Sequence, residues 1–161
     1  MMKKFEFQFV ITGACLVMVL FASAVNATDI ISAENPDAIL NIAKGFGSAR
    51  LTKDSGGVPL ISGRIDGTKY AIYFFGCDSN GKKCDDIQFG TAWAGTKVLI
   101  KTINEWNRTK RYGVAYLDKD GDPNLDMPVN IDYGVTAENL ESTFNFWTII
   151  LKQFKKEVLK K

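Results

Sequence analysis

Apolar positions recur with a period of two through most of the chain, and with a period near 3.6 in three places. From Leu60 to Asp66, Ile61 and Ile65 alternate with Ser62 and Arg64, which predicts a strand. Lys69 to Cys77 predicts a second, joined to the first by a tight Asp66-Gly67 turn. Tyr70, Ala71, Ile72, Tyr73, Phe74 and Phe75 make it apolar on both sides, the pattern of a central strand covered on two faces. Ser48 to Lys53 predicts an earlier strand, ended by Ser55-Gly56-Gly57. Asp85 to Trp93 alternates again, with Ile87, Phe89, Thr91 and Trp93 on one side. Tyr112 to Leu117 reads as a further strand. In the last one, Leu125, Met127, Val129 and Ile131 oppose Asn124, Asp126, Pro128 and Asn130. Pro128 has no N–H for a ladder, so this strand belongs at an edge or carries a bulge.

The helical stretches frame these strands. Asn35 caps a first helix that opens with Pro36, carries Ile39, Leu40, Ile42 and Ala43, and ends at Gly45 to Gly47. Thr96 to Asn107 places Leu99, Ile103 and Trp106 at helical intervals. A long helix then starts from the N-cap Thr136, with Glu138 and Glu141 at its positive end and Lys155, Lys156, Lys160 and Lys161 at its negative end. Leu140, Phe144, Trp147, Leu151, Phe154 and Val158 form its stripe. Phe146 and Ile150 widen that stripe and Ile149 lies off it, so the apolar arc exceeds what one sheet contact needs. The predicted order is α-β-β-β-β-α-β-β-α: an α+β fold in which three helices lie on a mainly antiparallel sheet of about six strands.

Residues 1–27 stand apart from this pattern. Lys3 and Lys4, the apolar run Phe9 to Phe21 and the small residues Ala22-Ser23-Ala24 and Val25-Asn26-Ala27 have the layout of a secretory signal peptide cleaved after Ala27. The competing reading is a retained anchor, for which the run is short against the roughly 20 residues that span a bilayer. Cys15 lies inside the run rather than at its end, which excludes a lipoprotein site. Cleavage leaves one domain, residues 28–161, in the periplasm or outside the cell and free of the membrane. It also removes two lysines and one glutamate, so the net charge falls from +2 to +1. That near-neutral balance argues against nucleic acid as a partner.

Export changes the meaning of the two remaining cysteines. In an oxidising compartment Cys77 and Cys84 form a disulfide more readily than a metal site, and Asn80-Gly81 between them signals a hairpin turn. A redox centre would instead favour Cys-x-x-Cys at a helix start.

Candidate chemistry is sparse. The chain contains no histidine, which removes His-based nucleophile pairs and His metal sites. No glycine-rich phosphate loop is present, and no cofactor is expected. Asp118, Asp120 and Asp122 are a weak candidate for calcium, since alternating carboxylates supply hard oxygen ligands. Yet the twelfth position of an EF-hand loop begun at Asp118 is Val129, and a hairpin turn explains the same residues. A hydrolase built on Asp120, Asp122 and Asp126 is the enzymatic alternative. Charge is sorted along the chain, −6 over residues 118–141 and +4 from Ser142 onward. If the helices cover one face of the sheet, Tyr73, Phe75, Ala115 and Leu117 are left on the other. With Phe146, Ile149 and Ile150 these are the candidate surface for another protein or a second copy.

Short motifs in a fixed order add to this. Asp122-Pro123-Asn124-Leu125-Asp126-Met127, Gly134-Val135-Thr136 with Glu138-Asn139-Leu140, and then Phe144 and Trp147 resemble the YbjN family of bacterial proteins. Tyr73-Phe74-Phe75-Gly76-Cys77, and Trp106-Asn107 before Arg111-Tyr112, fit its exported members. The resemblance spans Asn35 to Phe154 and implies an α+β fold similar to type III secretion chaperones, which tend to dimerise and bind extended segments. Members are described as sensory transduction regulators, and the resemblance brings no catalytic residues. An exported, disulfide-bearing chain departs from the cytoplasmic secretion chaperones, and a shared fold does not carry their activity.

Overall fold

A computed structural model describes residues 30–160, so the expected leader and its cleavage point lie outside the described residues. The elements follow in the order β1 (Ile30–Ile31), α1 (Pro36–Gly45), β2 (Ser48–Lys53), β3 (Pro59–Ile65), β4 (Thr68–Phe75), β5 (Asp86–Ala92), α2 (Ile100–Thr109), β6 (Val114–Leu117), β7 (Pro123–Asn130), β8 (Val135–Thr136) and α3 (Ala137–Glu157). β2 to β7 form a six-stranded sheet in the order β2-β3-β4-β5-β7-β6, antiparallel throughout. The α+β class and the alternation of helices and strands are those expected. β1 and β8 are an addition: two-residue strands that pair with each other and are too short to leave a periodic trace.

Local chemistry sets the boundaries. The Asn35 side chain accepts from the Ala38 N–H to start α1, and Thr136 accepts from the Asn139 N–H to start α3. α2 has no side-chain cap, and it begins at Ile100 rather than Thr96. Leu99 therefore sits outside it as an exposed N-cap residue, while Ile103 and Trp106 are buried as their spacing implies. The β3–β4 turn has positive φ at both Asp66 and Gly67, as a two-residue hairpin requires.

Three other turns share one construction. Each runs Asp-x-x-Gly-x: Asp54 to Val58, Asp78 to Lys82 and Asp118 to Asp122. In each, the Asp Oδ1 accepts backbone N–H groups two and four residues on, at 2.8–3.0 Å. In each, Gly57, Gly81 or Gly121 takes positive φ. Asn80 keeps negative φ, so the Cys77–Cys84 hairpin turns by this motif and not by an Asn-Gly pair.

Both layers meet in an aromatic core. Phe89 of β5 lies 4.9 Å from Phe144 and 5.5 Å from Trp147, both on α3. Phe46 stacks on Phe144, while Trp93 and Trp106 both pack on Phe154. Ring pairs at such distances add attraction beyond the area they bury. Side chains from β3, β4, β5 and β7 that face this layer are buried: Ile61, Ile65, Tyr70, Ile72, Phe74, Ile87, Leu125 and Met127. Gly63 lies under Tyr70, where an added Cβ would fall 2.5 Å from the ring.

The opposite face of the sheet is open. β4 is central in the sheet but is covered on one side only, since Tyr73 and Phe75 are 43% and 48% exposed. This corrects the two-sided cover implied by its composition. β6 pairs with β7 only as far as Asp126, so the stretch holding Pro128 is a local edge, as proline requires.

Candidate functional site

Strand register assigns each side chain to a face. Ala115 stands opposite Leu125 and Leu117 opposite Pro123, all four on the helix-covered side. Both Ala115 and Leu117 were expected on the open face, and the register reverses them. Val114 and Tyr116, opposite Asp126 and Asn124, take those places and are 55% and 42% exposed. Nothing in the run Tyr112 to Leu117 separates the two sides, because both are apolar. The partner strand does, through its outward Asn124 and Asp126.

The open face therefore carries Tyr73 and Phe75 on β4 and Val114 and Tyr116 on β6, with Gln88 and Gly90 of β5 and Asn124 and Asp126 of β7 between them. A groove of about 260 Å³ runs over Gly90, walled by Tyr73, Tyr116 and Asp126. Gly90 is buried beneath these side chains; a Cβ there would come within 2.9 Å of Asp126 Oδ1 and 3.1 Å of Tyr73 Cε2. Asp126 is half-buried. Burial holds its carboxyl above the ordinary carboxylate range, partly offset by a hydrogen bond with the Tyr116 side chain. Burial raises the Tyr116 hydroxyl in turn, as does the Asp126 charge. A carboxylate between two aromatic rings is suited to a cationic side chain, which gains ring contact and a charge partner together. On the same face, Arg50, Arg64 and Lys69 are exposed on β2, β3 and β4.

The helix flank is smaller than its composition implies. Ile150, expected in the exposed arc, is buried, because Gly113 leaves a hollow that its Cδ1 fills. Phe146 and Ile149 are exposed at 42% and 49%, and the Phe146 ring rests 4.9 Å from that of Tyr112. This leaves a short apolar ridge beside α3, on a different side of the molecule from the sheet face.

The three aspartates of the β6–β7 turn do not converge. Asp118 commits Oδ1 to two backbone N–H groups, and the Asp122 N–H foremost holds its carboxyl below the usual range. Asp122 is buried and accepts from Lys97 at 3.0 Å, and the same ammonium binds the Asp120 carbonyl at 2.6 Å. Asp120 is exposed at the tip. Lysine thus occupies the place a bound cation would take, and among the described residues no three acidic or cysteine side chains gather to hold a metal. The acids of the hydrolase alternative are likewise apart, since Asp126 lies on the sheet face four residues beyond the turn.

Cys77 and Cys84 form the expected disulfide, with Cα atoms 3.8 Å apart, clamping the β4–β5 connection. Among the described residues no helix is long and apolar enough to cross a membrane.

The described residues thus form a two-layer domain with a self-satisfied acidic turn and one uncovered sheet face. The chain belongs to the YbjN family, described as “putative bacterial sensory transduction regulator”, whose profile matches residues 35–160. No curated protein matches it.

Proposed function

We propose that this chain is an exported, non-enzymatic regulatory module that binds protein through the open face of its six-stranded sheet. One observation carries this reading: Tyr73, Phe75, Val114 and Tyr116 stand exposed on a single face with no helix over them among the described residues. Apolar surface grouped in this way marks an interaction site more often than bare solvent. Export is supported by the leader pattern of residues 1–27 and by the Cys77–Cys84 disulfide, which persists in oxidising compartments. A regulatory role agrees with the family description. Dispersal of Asp120, Asp122 and Asp126 weighs against the hydrolase alternative.

The test is photo-crosslinking in intact cells from positions 73 and 116, with Glu141 on the exposed side of α3 as the comparison. The same adduct is expected from both sheet positions and not from Glu141. Adducts only from Phe146 and Ile149 would move the surface to the helix flank, and none from either region would end the binding reading.

A further inference from the structure

We propose that the open face also holds a site for a small linear organic cation charged at both ends, of the polyamine class, laid along β5 and β7 between Asp126 and Asp86. This goes beyond the protein-binding reading of that face and does not depend on it.

Two hollows on the face share Phe75 and Gln88 and so run into each other. The first is the groove of about 260 Å³ over Gly90, and the second, of about 480 Å³, is lined by Asp86, Pro128 and Asn130. Register sets the ends. Gly90 stands opposite Asp126, Gln88 opposite Pro128, and Asp86 opposite Asn130. Asp86 therefore lies about 13 Å along the strands from the level of Asp126, and one strand, about 4.8 Å, across.

Each end holds an acid without a cation. None of the ion pairs among the described residues involves Asp126 or Asp86. Burial holds the Asp126 carboxyl above the ordinary range, as befits an acid with no positive charge beside it. Asp86 keeps Oδ1 out of water with no donor among the described residues. Carboxylates short of donors gain most from an ammonium brought to them.

Gly90 makes room at the first end. Its φ is not positive, so the backbone there does not call for glycine; what the missing side chain does is keep the floor low. The point where a Cβ would stand is 2.9 Å from Asp126 Oδ1 and 3.1 Å from Tyr73 Cε2. One ammonium above that point meets a charge and a ring together. Between the ends, Tyr73, Phe75 and Pro128 offer apolar contact to a methylene chain, and the Gln88 amide offers an acceptor to an N–H midway. A single ammonium satisfies one acid only. An extended triamine, with a charge-assisted bond of about 2.8 Å at each end, spans both. Lys69, two places before the Ala71 that pairs with Gly90, bounds the site at the Asp126 end with like charge.

The experiment is a titration of spermidine into protein purified from cells expressing the full-length sequence, followed by amide NMR in about 0.1 M salt to screen loose pairing. Shifts are expected at Asp86, Gln88, Gly90 and Asp126, with one Kd at or below about 1 mM. Butylamine, which carries one charge, should bind at least about tenfold more weakly. Asp86→Asn and Asp126→Asn keep the shape and should each cost about tenfold, the spectrum reporting that the fold is retained. No shift at these residues by about 10 mM spermidine overturns the inference. So do equal shifts at Asp118 to Asp122, butylamine binding as tightly as spermidine, or unchanged binding by either variant. Photo-crosslinks from positions 73 and 116 are read separately. Adducts without spermidine binding end this inference alone, and spermidine binding without adducts leaves it standing while the protein-binding reading falls.

Discussion

Tyr70→Phe isolates one buried oxygen. The Tyr70 ring is 4% exposed and lies between Phe89 and Trp147, with centroids 6.4 Å from each, and its hydroxyl has no hydrogen-bond partner among the described residues. Gly63 lies directly beneath it, so the ring cannot shift to find one. An unsatisfied buried polar group costs about 1–3 kcal/mol. Deleting the oxygen loses roughly 0.5 kcal/mol of van der Waals contact, because only a few atom pairs are involved. The expected net effect is a gain of about 1 kcal/mol, or about 4 °C in Tm for a domain of this size.

The same hydroxyl gives an alkaline signature. Burial pushes Tyr70 from 10.0 up to about 12. Its contribution to stability is therefore intact below about pH 10 and is lost as pH rises through about 12, because the unfolded chain releases the proton first. Urea titrations at pH 7 and at steps between pH 9 and 11 measure both effects, with Tyr116→Phe as the control for the other raised tyrosine. The variant should be more stable at pH 7 and should lose less stability on the alkaline limb. A loss above about 1 kcal/mol at pH 7 would refute the reasoning, since it would mean that the hydroxyl makes a bond worth keeping.

Other outcomes follow from the same geometry. Replacing Cys77 and Cys84 together by alanine opens a short loop and should cost about 2 kcal/mol in urea unfolding, an unchanged midpoint being the contrary result. Thr136→Ala removes the N-cap of α3 and should cost about 1 kcal/mol, whereas Thr136→Ser should recover most of it. Asp78 and Asp118 are held below the ordinary carboxylate range, chiefly by the Lys82 and Asp122 N–H groups, so their contribution is present above about pH 3.8 and lost as pH falls through the lowered values. Asp78→Asn with Asp118→Asn keeps the acceptor oxygens and should flatten the acid limb of the stability curve; an unchanged acid limb would count against this origin. Gly63→Ala places a Cβ against the Tyr70 ring and should cost about 1–3 kcal/mol, largely relieved by adding Tyr70→Leu, a coupling that a double-mutant cycle reads directly.

Much of the fold is legible in the sequence because local and long-range signals agree. Asn35 and Thr136 mark helix starts that the backbone adopts, and Asp66-Gly67 forms the tight turn it implies. Difficulty arises where periodicity is silent. Val114, Ala115, Tyr116 and Leu117 are all apolar, so alternation cannot say which pair faces the helices. The turn could have said so: a three-residue loop with Gly121 at positive φ sets Asp118 against Asp122. Counting back from there puts Ala115 opposite Leu125 and exposes Tyr116. The Asp-x-x-Gly-x signal was also present three times, and its repetition favours turns over ligands. Ile150 is hidden by the absent side chain of Gly113, which no spacing rule reports. Tyr73 and Asp126, distant in the chain, are brought to one groove only by the pairing of β4, β5 and β7.

The order β5-β7-β6 also bears on how the chain reaches this state. β2 to β5 are successive neighbours, so each pairing closes only a short loop. β7 must instead find β5 across α2 and β6, with Gly90 meeting Asp126. Closing the longer loop costs more entropy before any contact repays it. The β6–β7 hairpin, whose turn Lys97 ties to the connection between β5 and α2, is thus expected to dock after the local meander has paired. Until it docks, the inner edge of β5 is a bare strand with Phe89 beside it, and that interval is when the chain is most open to wrong pairing.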